Sequence, residues 1–206
     1  MNKNELLKKE RAKYNKLHKE ELKYGGKTGR AKAFKKANDK LHMRIKQALL
    51  NSKTLLDIGC GKGFMIDFFK NNYKHIEGTG IDISKEALKH VTKEIITHCC
   101  SADKMPFKDN SFDVVIHQDG MEHILVELEK DVMDEIYRVS NKYIYMTIAI
   151  HEIKRDQKKK GNNKVHCNLK SVKEWKRIFI DFVKTKNIKD WLFLADENWI
   201  YIYLEK

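Results

Sequence analysis

Thr54-Leu55-Leu56-Asp57-Ile58-Gly59-Cys60-Gly61-Lys62-Gly63-Phe64 is the stretch on which the reading of this chain turns. Leu55, Leu56 and Ile58 suit a strand covered on both faces. Asp57 stands at that strand's end, and glycines follow at alternate positions, 59, 61 and 63. Phe64, Ile66, Phe68 and Phe69 then open a helix with an apolar side. A strand, a glycine turn and a helix leave bare backbone on which a ligand can lie. The helix N-terminus offers N–H groups to a carboxylate or phosphate. A tight turn that binds nothing is the plain structural alternative. The nicotinamide fingerprint would need a glycine where Phe64 stands. A phosphate loop would need Ser or Thr after Lys62. The pattern here is Asp-x-Gly-x-Gly-x-Gly.

Downstream, Gly80-Ile81-Asp82-Ile83-Ser84 reads as a second strand ending in an acid. Asp82 follows Gly63 by nineteen positions, near the spacing at which an acid reaches an adenosine ribose in Rossmann-like units. Ser84 can cap a helix over 84–94 that sets Ala87, Leu88, Val91 and Ile95 on one side. Then come Ser101-Ala102-Asp103-Lys104-Met105-Pro106-Phe107, Asp109-Asn110-Ser111-Phe112-Asp113 and Met121-Glu122-His123-Ile124. With Ser101–Ile116 taken as one segment and the glycine loop included, four segments in this order over roughly residues 50–150 resemble the motifs of class I (Rossmann-like) S-adenosylmethionine-dependent methyltransferases of the small-molecule type.

That resemblance implies roles. Asp57 would order the glycine loop and the cofactor's amino group. Gly59, Cys60, Gly61 and Gly63 would line its methionine part. Asp82 would hold the ribose hydroxyls, and Ile83 would pack on adenine. Ala102 and Asp103 would meet the adenine edge, and His117 and Gln118 the methionine end. The family usually has a small residue where His117 stands, so His117 could instead face the methyl acceptor. The implied cofactor is S-adenosylmethionine, leaving as S-adenosylhomocysteine. No metal is implied.

The rest of the chain fits one such domain. Residues 3–24 and 31–50 read as helices, the second with Phe34, Ala37, Leu41, Ile45 and Ala48 recurring at three- and four-residue steps. In the resembled family such helices lie over the cofactor cleft, which makes Tyr24 and Arg30 candidate substrate contacts; packing is the competing role. Strands are expected at 54–58, 76–82, 96–101, 112–117 and 143–150. Helices are expected at 62–72, 84–94, 124–139 and 171–183. Trp191–Ala195 and Trp199–Leu204 form an antiparallel pair around Asp196-Glu197-Asn198. Strand alternating with helix implies a parallel sheet with right-handed crossovers. The expected fold is therefore α/β: a doubly wound, mostly parallel seven-stranded sheet with its last strand antiparallel and helices on both faces. Residues 1–50 are a basic helical extension or lid, and 51–206 the Rossmann-like domain. Residues 151–170 form a long polar loop after the fifth strand, able to cover the acceptor side.

Composition narrows the class. The chain has 206 residues, room for one full core. No apolar run approaches the ~18 residues of a membrane span, and no signal-peptide core follows the charged start. A cytoplasmic protein is expected. The cysteines, Cys60, Cys99, Cys100 and Cys167, contain no Cys-x-x-Cys and read as free buried thiols. Net charge is +13, concentrated outside the middle. Residues 1–50 carry 16 basic and 5 acidic side chains, 51–150 carry 12 and 16, and 151–206 carry 14 and 8. Basic flanks can attract nucleic acid. Only six of the 42 basic residues are Arg, however, and Arg is the better phosphate clamp. Lysine-rich solvated surface explains the charge equally simply.

Methyl transfer needs placement more than a catalytic triad, and a base only for hydroxyl or protonated nitrogen acceptors. His117, His123 and His166 are the candidate bases or acceptor-positioning groups, and His151 and His166 candidate substrate contacts. Packing or loop ordering is the competing role for His123. A small metabolite, sugar or lipid headgroup is the expected acceptor. An RNA or other nucleic-acid methyltransferase is the alternative, and an idle cofactor-binding scaffold a second. Pro106 is the sole proline, which excludes the Asp/Asn-Pro-Pro-Tyr and Pro-Cys motifs of several nucleic-acid enzymes. An aminopropyl transferase would need an acid-rich channel that is not evident. The sequence leaves the oligomeric state open.

Overall fold

The computed structural model describes residues 2–20, 39–150 and 166–206. Two helices come first, α1 (Lys3–Glu20) and α2 (Asp39–Leu50). Strands and helices then alternate: β1 (Thr54–Ile58), α3 (Phe64–Asn72), β2 (Glu77–Asp82), α4 (Lys85–Leu88), β3 (Ile96–Cys99), β4 (Phe112–Gln118), α5 (Glu129–Val139) and β5 (Ser140–Ala149). The chain ends with α6 (Val172–Thr185), β6 (Asp190–Ala195) and β7 (Trp199–Glu205).

The seven strands form one sheet in the order β3-β2-β1-β4-β5-β7-β6. Strands β1 to β5 run parallel, while β7 is antiparallel to both β5 and β6. This is the doubly wound sheet that the strand-helix alternation predicts. Both faces are buried, so alternate residues of one strand enter different cores. Leu56, Ile58, Val115, Ile144, Met146, Ile200 and Ile202 pack on one side with α5 and α6. Leu55, Val114, Ile116, Tyr145, Tyr201 and Tyr203 pack on the other, with Ile45, Ala48 and Leu49 of α2 and Ile66 and Phe69 of α3. Strand order reverses between β1 and β4. A crevice therefore opens at the carboxyl ends of those strands, where the connections leave in opposite directions.

Several elements differ from the pattern reading, each for a local reason. The helix expected over 84–94 stops at Leu88, because the N–H groups of His90 and Val91 bond three residues back, to Ala87 and Leu88. The helix expected from 124 starts at Glu129. Ile124 and Leu125 are extended, and Val126–Leu128 makes a separate 3-10 turn. Helix α3 starts at Phe64 rather than 62, because Gly63 before it is left-handed at φ 77. Ser171 caps α6 through a reciprocal box with Glu174. Of the four thiols, all free, only Cys60 is fully buried; Cys100 and Cys167 are half-buried and Cys99 is exposed. Cys99 is the last residue of an edge strand. Among the described residues no helix is long and apolar enough to cross a membrane.

Candidate functional site

The glycine loop is fixed from below. Gly59 and Cys60 donate their N–H groups to the carbonyl of Ile81 (2.8 and 2.9 Å), and Gly63 donates to Cys60. Gly61 donates to Asp82 Oδ2 (2.9 Å), while Asp82 Oδ1 accepts from Ser84 N (2.7 Å). The N–H groups of Gly59, Cys60, Gly61 and Gly63 are thus used internally. What it offers a ligand is bare Cα surface. A Cβ at Gly59 or Gly61 would meet nothing nearer than 4.0 Å. Both glycines have positive φ, 71 and 55, where side-chain-bearing residues are disfavoured. Asp82, though bonded twice, keeps acceptor capacity, because a carboxylate offers about four lone-pair directions.

Above the loop lies a cavity of about 250 Å³. Gly59, Gly61, Asp82 and Ile83 line one end, and Ser101, Ala102, His117 and Gln118 continue the wall. Of the other expected cofactor contacts, Asp57 and Cys60 are buried beneath the loop. Gly63 abuts Val91 and Ile95. Asp103 does not line the cavity: its carboxylate pairs with Lys3 Nζ at 2.8 Å and accepts from the Ser101 hydroxyl. Burial pushes the Asp103 carboxyl up, but Lys3 and Ser101 hold it below the usual carboxylate range.

His117 is buried, and its Nδ1 sits 2.9 Å from the carbonyl of Ile58. A carbonyl can only accept, so Nδ1 carries a proton. The ring is held between Gly59 and Gly120; a Cβ at Gly120 would lie 2.0 Å from its Cε1. His117 thereby bridges β1 and β4 at the crevice floor. Asp119 follows at φ 50, a conformation that Asp tolerates better than most residues. It is clamped to β5, donating from N to Thr147 O (3.0 Å) and accepting from Thr147 Oγ1 (2.8 Å).

The other end of the cavity is built from distant segments. His123 lines the cavity beside Ile124, Leu125 and Leu128. His166 is buried against it, with ring centroids 4.5 Å apart. Tyr24, Arg30 and His151 lie outside the described residues. The expected helical lid is α1, whose Leu7, Glu10, Tyr14, Leu17 and His18 roof the cavity, though sequence reading names none of these five as site residues. Asn15 fastens it: its Oδ1 accepts from Ser84 Oγ (3.0 Å) and Glu86 N (3.3 Å). Tyr14 stands edge-on to His123 at 6.0 Å, with its hydroxyl buried and, among the described residues, unbonded. Burial first, then Cys167, Glu10, Asp82 and Glu122, raise its pKa, so it keeps its proton as a donor. The signals for the docking of α1 are the family resemblance and a modest apolar stripe of Leu6, Leu7, Tyr14 and Leu17.

Comparisons with known proteins agree with this geometry. Residues 56–146 match the family model described as a methyltransferase domain. An uncharacterized protein of Haemophilus influenzae is 31% identical over 124 residues, 55% of this chain and 48% of that one. The chain thus spans about half the length of that curated relative. A SAM-dependent methyltransferase from Aquifex aeolicus superposes with TM-score 0.57 at 17% identity, over 80% of this chain and 88% of that one. One from Archaeoglobus fulgidus gives 0.61 at 16%, over 80% and 90%. The plantazolicin methyltransferase BpumL, solved with a desmethyl substrate analog and SAH, gives 0.60 at 15%, over 98% of both chains. In fold the chain resembles these solved methyltransferases, and in sequence residues 56–146 resemble a methyltransferase domain.

Proposed function

We propose that this protein binds S-adenosylmethionine in the cavity above Gly59–Gly63 and transfers its methyl group to a small-molecule acceptor. The observation that carries the reading is the open space over the two left-handed glycines, walled by Asp82 on one side and His117 on the other. A nucleoside can lie there without displacing any side chain from the loop. Asp82 would accept from ribose hydroxyls, Ile83 and Ala102 would flank the adenine, and Gln118 would meet the methionine end.

The cofactor supplies the electrophilic methyl; the acceptor's lone pair forms the new bond as the carbon–sulfur bond breaks, and the acceptor gives up a proton. This chain's contribution is placement. Holding the reactants about 3 Å apart in line is worth ~7–11 kcal/mol. Tyr14 and His123 face the same space and can orient an acceptor, and a neutral imidazole can take its proton. The roof formed by α1 favours a small acceptor over a nucleic-acid strand. At about 250 Å³ the cavity is near the lower limit of ligand sites, roughly 300 Å³, so α1 must lift to admit both partners. The free cysteines fit a reducing compartment, and we place the protein in the cytoplasm.

Titration calorimetry with S-adenosylmethionine and S-adenosylhomocysteine tests the reading. One site per chain at micromolar affinity is expected. No heat with either nucleoside would leave a scaffold. Binding of RNA that weakens steeply with salt would replace the small acceptor by a nucleic acid.

A further inference from the structure

We propose that Glu122, His123 and His166 form a site for a divalent transition-metal ion at the acceptor end of the cleft. It rests on the methyl-transfer reading only for its role, not for its existence. One ligand atom from each of the three residues lies within 4.8 Å of the other two. Bonds of about 2.0–2.2 Å to nitrogen and oxygen allow ligands to stand at most roughly 4.4 Å apart. A small turn of the side chains therefore closes the set.

The site is built, not incidental. Glu122 is fully buried, and its Oε1 accepts from Ala149 N at 3.0 Å, which fixes the carboxylate. The Glu122 carbonyl accepts from both Cys167 N (3.0 Å) and Asn168 N (3.1 Å), which brings His166 from a distant segment to His123. Cys167 Sγ–H donates to the His123 carbonyl at 3.1 Å. Asn168 Nδ2 and Lys170 Nζ both donate to Glu129 Oε2 at 2.6 Å, so the segment is stapled to the start of α5. Ligands held this way by surrounding hydrogen bonds are typical of metal centres. Glu10 and Glu127 add negative charge nearby, and Lys13 opposes them. Imidazole and carboxylate donors select a borderline ion such as Mn, Fe, Co or Zn rather than Ca or Mg.

Three protein ligands leave positions open on a five- or six-coordinate ion. Of the three, His123 lines the cavity, so an acceptor oxygen can complete the coordination. A bound hydroxyl loses its proton far more readily than a free one. The acceptor class is then a hydroxyl oxygen: the ion would lower its pKa so that its proton passes to solvent water as the oxygen takes the methyl group, and His123, as a ligand, would not be the base.

The test loads the whole chain with Co²⁺ and follows its visible absorption, with Mn²⁺ and Zn²⁺ titrated by calorimetry. One ion per chain is expected in the absence of any cofactor. Glu122→Gln, which can still accept from Ala149 N, and His166→Gln should each weaken binding at least tenfold. His90→Ala, an exposed control, should not. The ion should raise the melting temperature of the native chain and not of the two ligand variants. If His166→Gln fails to fold, Glu122→Gln decides. Absence of a bound ion, or equal binding by the ligand variants, overturns the site. Acetohydroxamate, a chelating oxygen probe, should change the Co²⁺ spectrum; an unchanged spectrum overturns the acceptor class. S-adenosylmethionine affinity, measured on the metal-free chain, should be the same in Glu122→Gln, and its absence in the native chain would overturn methyl transfer while leaving the ion in place.

Discussion

The two ends of the cleft are assembled in opposite ways. The cofactor end is written in one continuous run: Gly59 to Ala102, with Asp82 between, on three adjacent strands and their turns. The acceptor end draws Tyr14, Asp119, His123 and His166 from elements up to 152 positions apart. At the first end backbone conformation makes the surface, so residue type dictates shape. At the second, side chains meet only because the sheet has already formed. A motif can encode the former; only the fold can deliver the latter.

The harshest way to break the cofactor end is to fill its packing. Gly80 has no room for a side chain: a Cβ would lie 2.6 Å from Cys60 Sγ and 3.0 Å from Ile66 Cδ1. Gly80→Val should cost about 3 kcal/mol by overpacking. It should lower the urea midpoint at unchanged slope and displace the glycine loop, so cofactor affinity falls with it. An unaltered midpoint would mean that the loop and β2 are not packed as described.

Next in size, Asp82→Ala should weaken S-adenosylmethionine binding by ~1–3 kcal/mol through lost charged hydrogen bonds. It also removes the acceptor for Gly61 N and Ser84 N, so some stability falls with it. The comparison sharpens if Asp82→Asn, which keeps one acceptor oxygen, recovers stability and not affinity. Equal affinity in all three chains would remove Asp82 from the ribose.

How much of this was legible beforehand follows the same division. Asp57, the alternating glycines and Asp82 announce the fold and the glycine loop at the crevice, because each needs only its neighbours to act. Yet the sequence could not show that Asp82 binds the loop itself as well, since that bond links residues 61 and 82 through the sheet. Nor could it show that Asp103 would be taken by Lys3. The Lys3 side chain reads as one of 42 similar basic groups until α1 is docked. Glu122 and His123 stood out as a pair, but nothing local ties them to His166. The contacts that do so are made by the carbonyl of Glu122, and backbone bonds between distant segments leave no mark on residue type.

The acceptor end can be loosened through its roof. Asn15→Ala deletes the acceptor for Ser84 Oγ and Glu86 N and should cost about 1 kcal/mol of the docking of α1. Amide exchange along residues 3–20 should quicken while the sheet's does not. Cofactor association should speed up, because lifting the roof precedes entry. Equal exchange rates in the two chains would show that another contact holds the helix.

The smallest effect is at the other end of α1, and it carries a pH signature. Lys3 Nζ lies 2.8 Å from Asp103 Oδ2 and 2.9 Å from Asp131 Oδ2. Lys3 is about half exposed and Asp103 almost wholly buried, so solvent screens the pair and its worth stays below ~1 kcal/mol. Burial raises the Asp103 carboxyl, and the ammonium and the Ser101 hydroxyl lower it further, leaving it depressed. A depressed carboxyl stabilises the fold above its unfolded pKa, about 3.9, and that stability disappears as pH falls through the folded value. The native chain should therefore exceed Lys3→Met in stability by a constant margin near neutrality. The margin should close below about pH 4, as the Asp103 carboxylate takes up its proton and no longer attracts the ammonium. Urea midpoints of both chains across pH 3–7 read this directly. A margin that survives full protonation would come from packing of the Lys3 stem rather than from charge, and α1 would then be held at this end as it is in the middle, by contacts that ignore pH.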